Sequence, residues 1–178
     1  MSQIRKTAIC PLRSKSDRAW AARLMASSEP WITLRRTLAT AAKSLTNPQK
    51  EYHLITHRGE RAGFLILDLN GPLGGYIQTI ALAPEFRGRG LGTAALRWAE
   101  QRIFRKHRNV LLCVSSFNRR AQRLYRRLGY ETVGRLRDYV VAGHDEILLR
   151  KTLGPMSRST SRRTRRTTEK ARRPKNPL

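Results

Sequence analysis

"PEFRGRGLGTAAL", residues 84–96, sets three glycines at alternate positions, Gly88, Gly90 and Gly92, with Arg87 and Arg89 between them. An apolar run, "YIQTIALA" at 76–83, leads into this stretch, and an apolar-striped segment follows it. The pattern predicts a strand, a bare turn and a helix. The first N–H groups of a helix have no partners within it and sit at the positive end of its dipole. Glycines permit left-handed torsions and let a ligand touch the backbone. Arginines add charge-assisted hydrogen bonds to phosphate. One glycine would serve an ordinary left-handed turn, whereas three at alternate positions point to an anion site.

The flanking segments give an α/β order. "IRKTAIC" at 4–10 reads as a first strand, and "SDRAWAARLMAS" as a helix with a serine cap. A second helix is expected to restart after Pro30 and run through Leu34, Leu38 and Leu45 to Asn47-Pro48. "EYHLIT" and "RAGFLILDL" read as strands joined by a turn at Arg58-Gly59-Glu60, and "NGPLGG" at 70–75 as a loop. A helix from Leu91 presents Leu91, Ala95, Leu96, Trp98, Ala99 and Ile103 on one side, marred by Arg102. "NVLLCVSS" reads as a buried strand. Asn118 caps a helix striped by Ala121, Leu124, Tyr125 and Leu128, and Gly129 stops it. Two strands, near 131–141 and 145–151, close the order. The expected sheet is mixed, with a parallel pair around the central crossover.

The chain has 178 residues and a net charge of +25, from 37 Lys and Arg against 12 Asp and Glu. That suits one domain with an anionic partner. Residues 155–178 carry nine Lys or Arg and one acid, Glu169, and from Ser157 to Pro177 hold no aromatic and no aliphatic larger than Ala. A disordered basic tail is expected there, after a folded domain over 1–154. The folded part still carries +17. No apolar run approaches the length of a membrane span, and the N-terminus lacks the apolar core of a signal peptide. Cys10 and Cys113 form no C-x-x-C pair, which suits a reducing, cytoplasmic setting.

A phosphate-binding P-loop needs Lys-Ser or Lys-Thr after its last glycine, and none follows here. A dinucleotide fingerprint fits loosely as Gly90, Gly92 and Ala95, but no acid stands at 109–118 to bind a ribose. The segment instead resembles motif A of the GNAT superfamily of acyl-CoA N-acetyltransferases, [QR]-x-x-G-x-[GA], as Arg87-Gly88-Arg89-Gly90-Leu91-Gly92. A second block, "NRRAQRLYRRLGYETVG" at 118–134, is similar to that family's N-x-x-A-x-x-L-Y-x-x-x-G-[FY]. The resemblance covers residues 4–153 and is densest over 76–139.

The resemblance implies a GNAT-type mixed sheet with helices on both faces, and acetyl-CoA as acyl donor to an amine. Coenzyme A's pyrophosphate would lie on the N–H groups of residues 88–93, Leu91 and Thr93 included, with Arg87 and Arg89 beside it. Its pantetheine would pair with Ile80 and Leu82, and the Leu82 N–H would polarise the thioester carbonyl. Tyr125 would protonate the leaving thiolate, although a tyrosine on an apolar stripe also reads as core. Asn118 would touch pantetheine, cap its helix, or do both. The family's general base is missing. Where relatives carry glutamate, this chain has Tyr76 and Gln78 on one strand and Cys113 on the next. An inert buried thiol is the preferred reading of Cys113. Glu29, Asp138, Asp145, Glu146 and a water relay stay open as bases.

His53 and His57 lack a third ligand, so no metal is expected. Trp20 and Trp31 flank a segment that in the family helps to form the acceptor pocket, and Trp20 reads more as core. A rival reading is a nucleic-acid- or ribosome-binding protein on a non-catalytic GNAT fold. It accounts for the charge and for "RRAQRLYRR" at 119–127 but not for the glycine loop. In a combined reading the tail tethers an acetyltransferase to RNA, DNA or ribosomes. The acceptor is left open among a protein N-terminus, a lysine and a small amine. A lysine-rich acceptor would be repelled unless acids line its groove.

Overall fold

The computed structural model describes residues 7–156, so the expected strand residues 4–6 and the expected tail beyond 156 lie outside the described residues. A seven-stranded sheet runs in the order β1-β2-β3-β4-β5-β7-β6. Its strands are β1 (Thr7–Pro11), β2 (Glu51–His57), β3 (Glu60–Gly71), β4 (Gly74–Leu82), β5 (Asn109–Ser115), β6 (Glu131–Val141) and β7 (His144–Thr152). The helices are α1 (Lys15–Ala26), α2 (Leu38–Lys43), α3 (Leu91–Phe104) and α4 (Arg119–Arg127). All pairs are antiparallel except β4–β5. Parallel neighbours need a crossover, and α3 supplies it.

The centre of β3 shows how the sheet is covered. Phe64, Leu65, Ile66 and Leu67 are all fully buried, as in a strand with both faces packed. Each such side chain contributes about 1.5–3 kcal/mol on burial. Arg58 and Gly59 both take positive φ, the type I′ turn that suits a tight hairpin. Gly75 allows α3 to press on β4, since a Cβ there would lie 2.0 Å from Ile103 Cγ2. The stripe expected on α3 is buried, with Trp98 only partly so. Arg102 is no blemish, because it makes a bidentate pair with Glu51 at 2.6 and 3.0 Å.

Two expectations need correction. The helix expected from Pro30 to Leu45 is only Leu38–Lys43. Arg35 takes φ +54, and Thr37 is extended and caps α2 by accepting from the Thr40 N–H. Leu38 is consequently half exposed while Leu45 is buried. The loop expected at 70–75 shrinks to Pro72-Leu73, because β3 and β4 pair as far as Gly71 and Gly74. Backbone pairing there overrides the turn-rich composition.

Candidate active site

β4 and β5 pair only at Tyr76–Leu111 and Ile77–Leu112. Beyond those residues the strands part. The Ala83 N–H donates to Ala62 O on β3 at 2.9 Å. Antiparallel alternation then turns the N–H groups of Ile80 and Leu82 away from β3, towards the gap. Backbone polar groups are rarely left without partners, so this gap is suited to an extended polar ligand.

The gap opens into a cleft of about 200 Å³, whose lining includes Ile80, Cys113, Ser115, Asn118, Tyr125 and Glu146. Trp31 and Arg36, from the segment between α1 and α2, form one wall, and Tyr139 and Val140 of β6 form another.

At one end of the gap the chain makes a 3₁₀ turn, Pro84–Phe86, and then the glycine loop. Gly88 and Gly90 take φ +79 and +82, which explains glycine at both places. Gly90 is the N-cap of α3 and offers no side chain to it, so the first-turn N–H groups of Leu91, Gly92 and Thr93 keep no side-chain cap. Gly92 is different. A Cβ there would meet Leu82 and Leu124 at ordinary contact distances of 3.6 and 3.7 Å. The arginines divide. Arg89 lies over the Phe86 ring at 5.9 Å. Arg87 turns back, its Nε donating to Leu82 O at 2.9 Å and its Nη2 to Ser28 Oγ at 3.4 Å. Those bonds tie the turn to β4 and to the end of α1, a structural job that spacing alone did not suggest. They also occupy the Leu82 carbonyl.

Asn118 caps α4, its Oδ1 accepting from the Ala121 N–H at 3.2 Å, and also lines the cleft. Both functions assigned to it are open to it geometrically. Tyr125 is buried, edge-on to Tyr130 at 5.7 Å, yet it lines the cleft. Burial pushes its phenol up to about 12. Core packing and a place in the cleft therefore coexist.

Strand parity divides the cleft into two sides. Leu112 and Val114 point to the face where Tyr125 packs. Leu111, Cys113 and Ser115 point to the other, and the register adds Tyr76 from β4 and Glu146, opposite Ser115, from β7. Burial raises both Cys113 and Tyr76, and the neighbouring phenol partly offsets the rise at the thiol. A thiol held up in this way is a poor nucleophile. Gln78 accepts from Lys50 Nζ.

The candidate bases separate cleanly. Glu29 accepts from the Thr33 N–H and hydroxyl outside the cleft. Asp138 accepts from the Gly143 N–H, and Asp145 pairs with Arg135. Only Glu146 lines the cleft. It is 5% exposed, and its Oε1 accepts from Ser115 Oγ at 2.6 Å. Burial pushes its carboxyl up, with Ser115 partly offsetting the rise. Ser115, Arg36 and the pair Tyr139–Val140 were not singled out in the sequence. Only the β5–β7 register reveals Ser115, and nothing local marks the others.

His53 and His57 do not come together on an ion. His53 lies 3.3 Å from Glu51 and packs edge-on to Trp98, whereas His57 shares a hydrogen bond with Thr7. Among the described residues no three potential ligands cluster as a metal site, and no helix is long and apolar enough to cross a membrane.

The sequence profile of the acetyltransferase (GNAT) family matches residues 16–130. The chain belongs to this family. N-alpha-acetyltransferase RimI of Mycobacterium tuberculosis is 31% identical over 140 residues, covering 76% of this chain and 84% of that protein. The Escherichia coli ribosomal-protein-S18-alanine N-acetyltransferase superposes with a TM-score of 0.69 at 21% identity, over 86% of this chain and 97% of that one. A GNAT acetyltransferase from Elizabethkingia anophelis, crystallised with acetyl-CoA bound, gives 0.68 at 17% identity, over 83% and 99%. Both superpositions show a GNAT fold: the mixed seven-stranded sheet is the family's, and the chain is an acetyltransferase of that family.

Proposed function

We propose that this acetyltransferase moves an acetyl group from acetyl-CoA to the α-amino group at a protein N-terminus, by direct attack of the amine on the thioester. The observation that carries the reading is the gap between β4 and β5, flanked by the glycine loop at one end and Tyr125 along its side. The first-turn N–H groups of α3, with those of the loop at 88–90, suit a diphosphate, helped by Arg89. The N–H groups of Ile80 and Leu82 suit the pantetheine arm and the developing oxyanion. Arg87 acts by holding the turn, through its hydrogen bonds to Leu82 and Ser28. Tyr125 protonates the departing thiolate.

The acceptor class draws support from the relatives that act on N-termini by name. It also suits a basic surface, which disfavours lysine-rich acceptors. All five arginines of α4 are exposed, and with the basic segment from 155 they suit a tether to RNA on a ribosomal partner. RNA retention that persists after deletion of 155–178 would move that contact to α4. Free thiols at Cys10 and Cys113 suit the cytoplasm.

The test offers acetyl-CoA with three acceptors: a lysine-free peptide with a free N-terminal alanine, an N-blocked peptide with one lysine, and a small diamine. Acetylation of the first above the other two is expected. Preference for either of the others would overturn the acceptor class.

A further inference from the structure

Among the described residues Glu146 is the one carboxylate lining the cleft, in a chain whose net charge is +25. Its Oε1 is engaged by Ser115, and no second donor reaches it from the described residues. Among the described residues it forms no ion pair with Lys or Arg. Burying a carboxylate without a cation is costly, and the fold gains little from it. Leu148, next along the same face of β7, shows that an apolar residue suits this face. A group kept at such a cost beside a cleft is a candidate for chemistry.

We propose that Glu146 is the proton acceptor of the transfer reaction, a carboxylate on β7 serving where β4 and β5 offer only Tyr76, Gln78 and Cys113. The proposal rests on the acetyl-transfer reading of the cleft. Parity puts Glu146 on the side of the sheet opposite the packing of Tyr125, with the β4–β5 gap between them. Base and acid therefore reach the reacting centre from different sides. The Glu146 carboxylate first takes a proton from the bound ammonium, directly or through one water, and releases it to solvent; the freed lone pair then attacks the thioester carbon and the N–C bond forms. The nitrogen's second proton passes to the Glu146 carboxylate by the same route. The C–S bond breaks with its electron pair on sulfur, and sulfur takes a proton from Tyr125. The proton held by Glu146 then leaves to solvent, which reprotonates Tyr125. Ammonium and thioester thus become amide, thiol and one released proton, with no other reactant.

The polar and titratable groups that share the cleft with Glu146 include Ser115 and Cys113 of β5, Tyr76 of β4, Tyr139 of β6, Tyr125 of α4 and Arg36 of the α1–α2 segment. Burial raises Tyr76, Cys113 and Tyr125, which keeps that thiol and those two phenols neutral at pH 7. Burial raises Glu146 as well, so activity should fall as pH drops through a value above the ordinary carboxylate range.

Wild type and Glu146→Gln are compared for transfer to the alanine peptide, for acetyl-CoA binding by calorimetry, and for melting temperature. Glutamine still accepts from Ser115. The expected result is an acetyl-CoA Kd within about twofold and a kcat/KM about 100-fold lower at neutral pH. The deficit should shrink as pH passes the amine's own pKa, about 8, where neutral amine arrives unaided. A deficit equal at every pH, or one under about threefold, overturns the assignment. Should Glu146→Gln not fold, Ser115→Ala serves: losing the hydroxyl should shift the acid limb upward, and an unmoved limb overturns the assignment. A wild type that acetylates none of the three acceptors refutes the acetyl-transfer reading, and Glu146 with it. An active wild type matched by an active Glu146→Gln refutes Glu146 alone.

Discussion

Gly92→Glu should raise the stability of the free protein and weaken its hold on coenzyme A. Gly92 lies in the first turn of α3 at a negative φ, and its Cβ position is free of clashes. Replacing glycine inside a helix gains up to about 1 kcal/mol, and an acid at the positive end of the dipole adds about 0.3–1 kcal/mol. The melting temperature should therefore hold or rise. The same carboxylate would sit among the N–H groups proposed to bind the diphosphate. Two unit charges 4 Å apart repel by about 1 kcal/mol in water and about 4 kcal/mol near a protein surface. Each 1.4 kcal/mol is about tenfold, so Kd should rise between about fivefold and several hundredfold. Gly90→Ala is the complementary change. It meets no atom within 4 Å, but at φ +82 it costs about 1–2 kcal/mol in torsion, so both stability and affinity should fall. Calorimetric titration with coenzyme A and a thermal melt read both quantities. A Gly92→Glu protein that melts like wild type and binds coenzyme A equally well would refute the assignment of the loop.

Tyr125→Phe keeps the buried ring and removes the proton, so it should lower kcat by about 100-fold while acetyl-CoA affinity changes less than about threefold. Loss of affinity with kcat intact in steady-state kinetics would make Tyr125 a binding residue. Because burial lifts its phenol to about 12, the acid stays protonated across neutral pH, and no basic limb from Tyr125 should appear below about 10. Iodoacetamide at mildly alkaline pH should label exposed Cys10 well before Cys113, whose thiolate burial disfavours. Mass spectrometry showing Cys113 labelled first would reopen it as a nucleophile.

Much of the architecture could be read from the sequence because period and punctuation agree locally. The β3 run, the α3 stripe, the Asn118 cap and the Gly129 stop each depend on residues within a few positions. The failures share a cause. Residues 30–45 contain a leucine spacing that helices favour, but one left-handed residue, Arg35, and one cap, Thr37, decide the outcome. The reach of Arg87 to Leu82 and Ser28 likewise depends on where the end of α1 comes to rest, which no local pattern encodes.

The proposed base is the clearest case of information held in register and not in spacing. Counted along the chain, Glu146 is one of four acids with nothing to distinguish it, and Asp145 beside it is the better-connected one. The order β5-β7-β6 places β7 beside β5 although α4 and β6 intervene in sequence. The pairing Ser115↔Glu146 then turns Glu146 into the cleft, and its neighbour Asp145 towards Arg135. A slip of one residue would exchange the two carboxylates, because side chains alternate along a strand. On the proposal made here, the chemistry of this site is therefore fixed by the pairing of two strands 31 positions apart in sequence at that point.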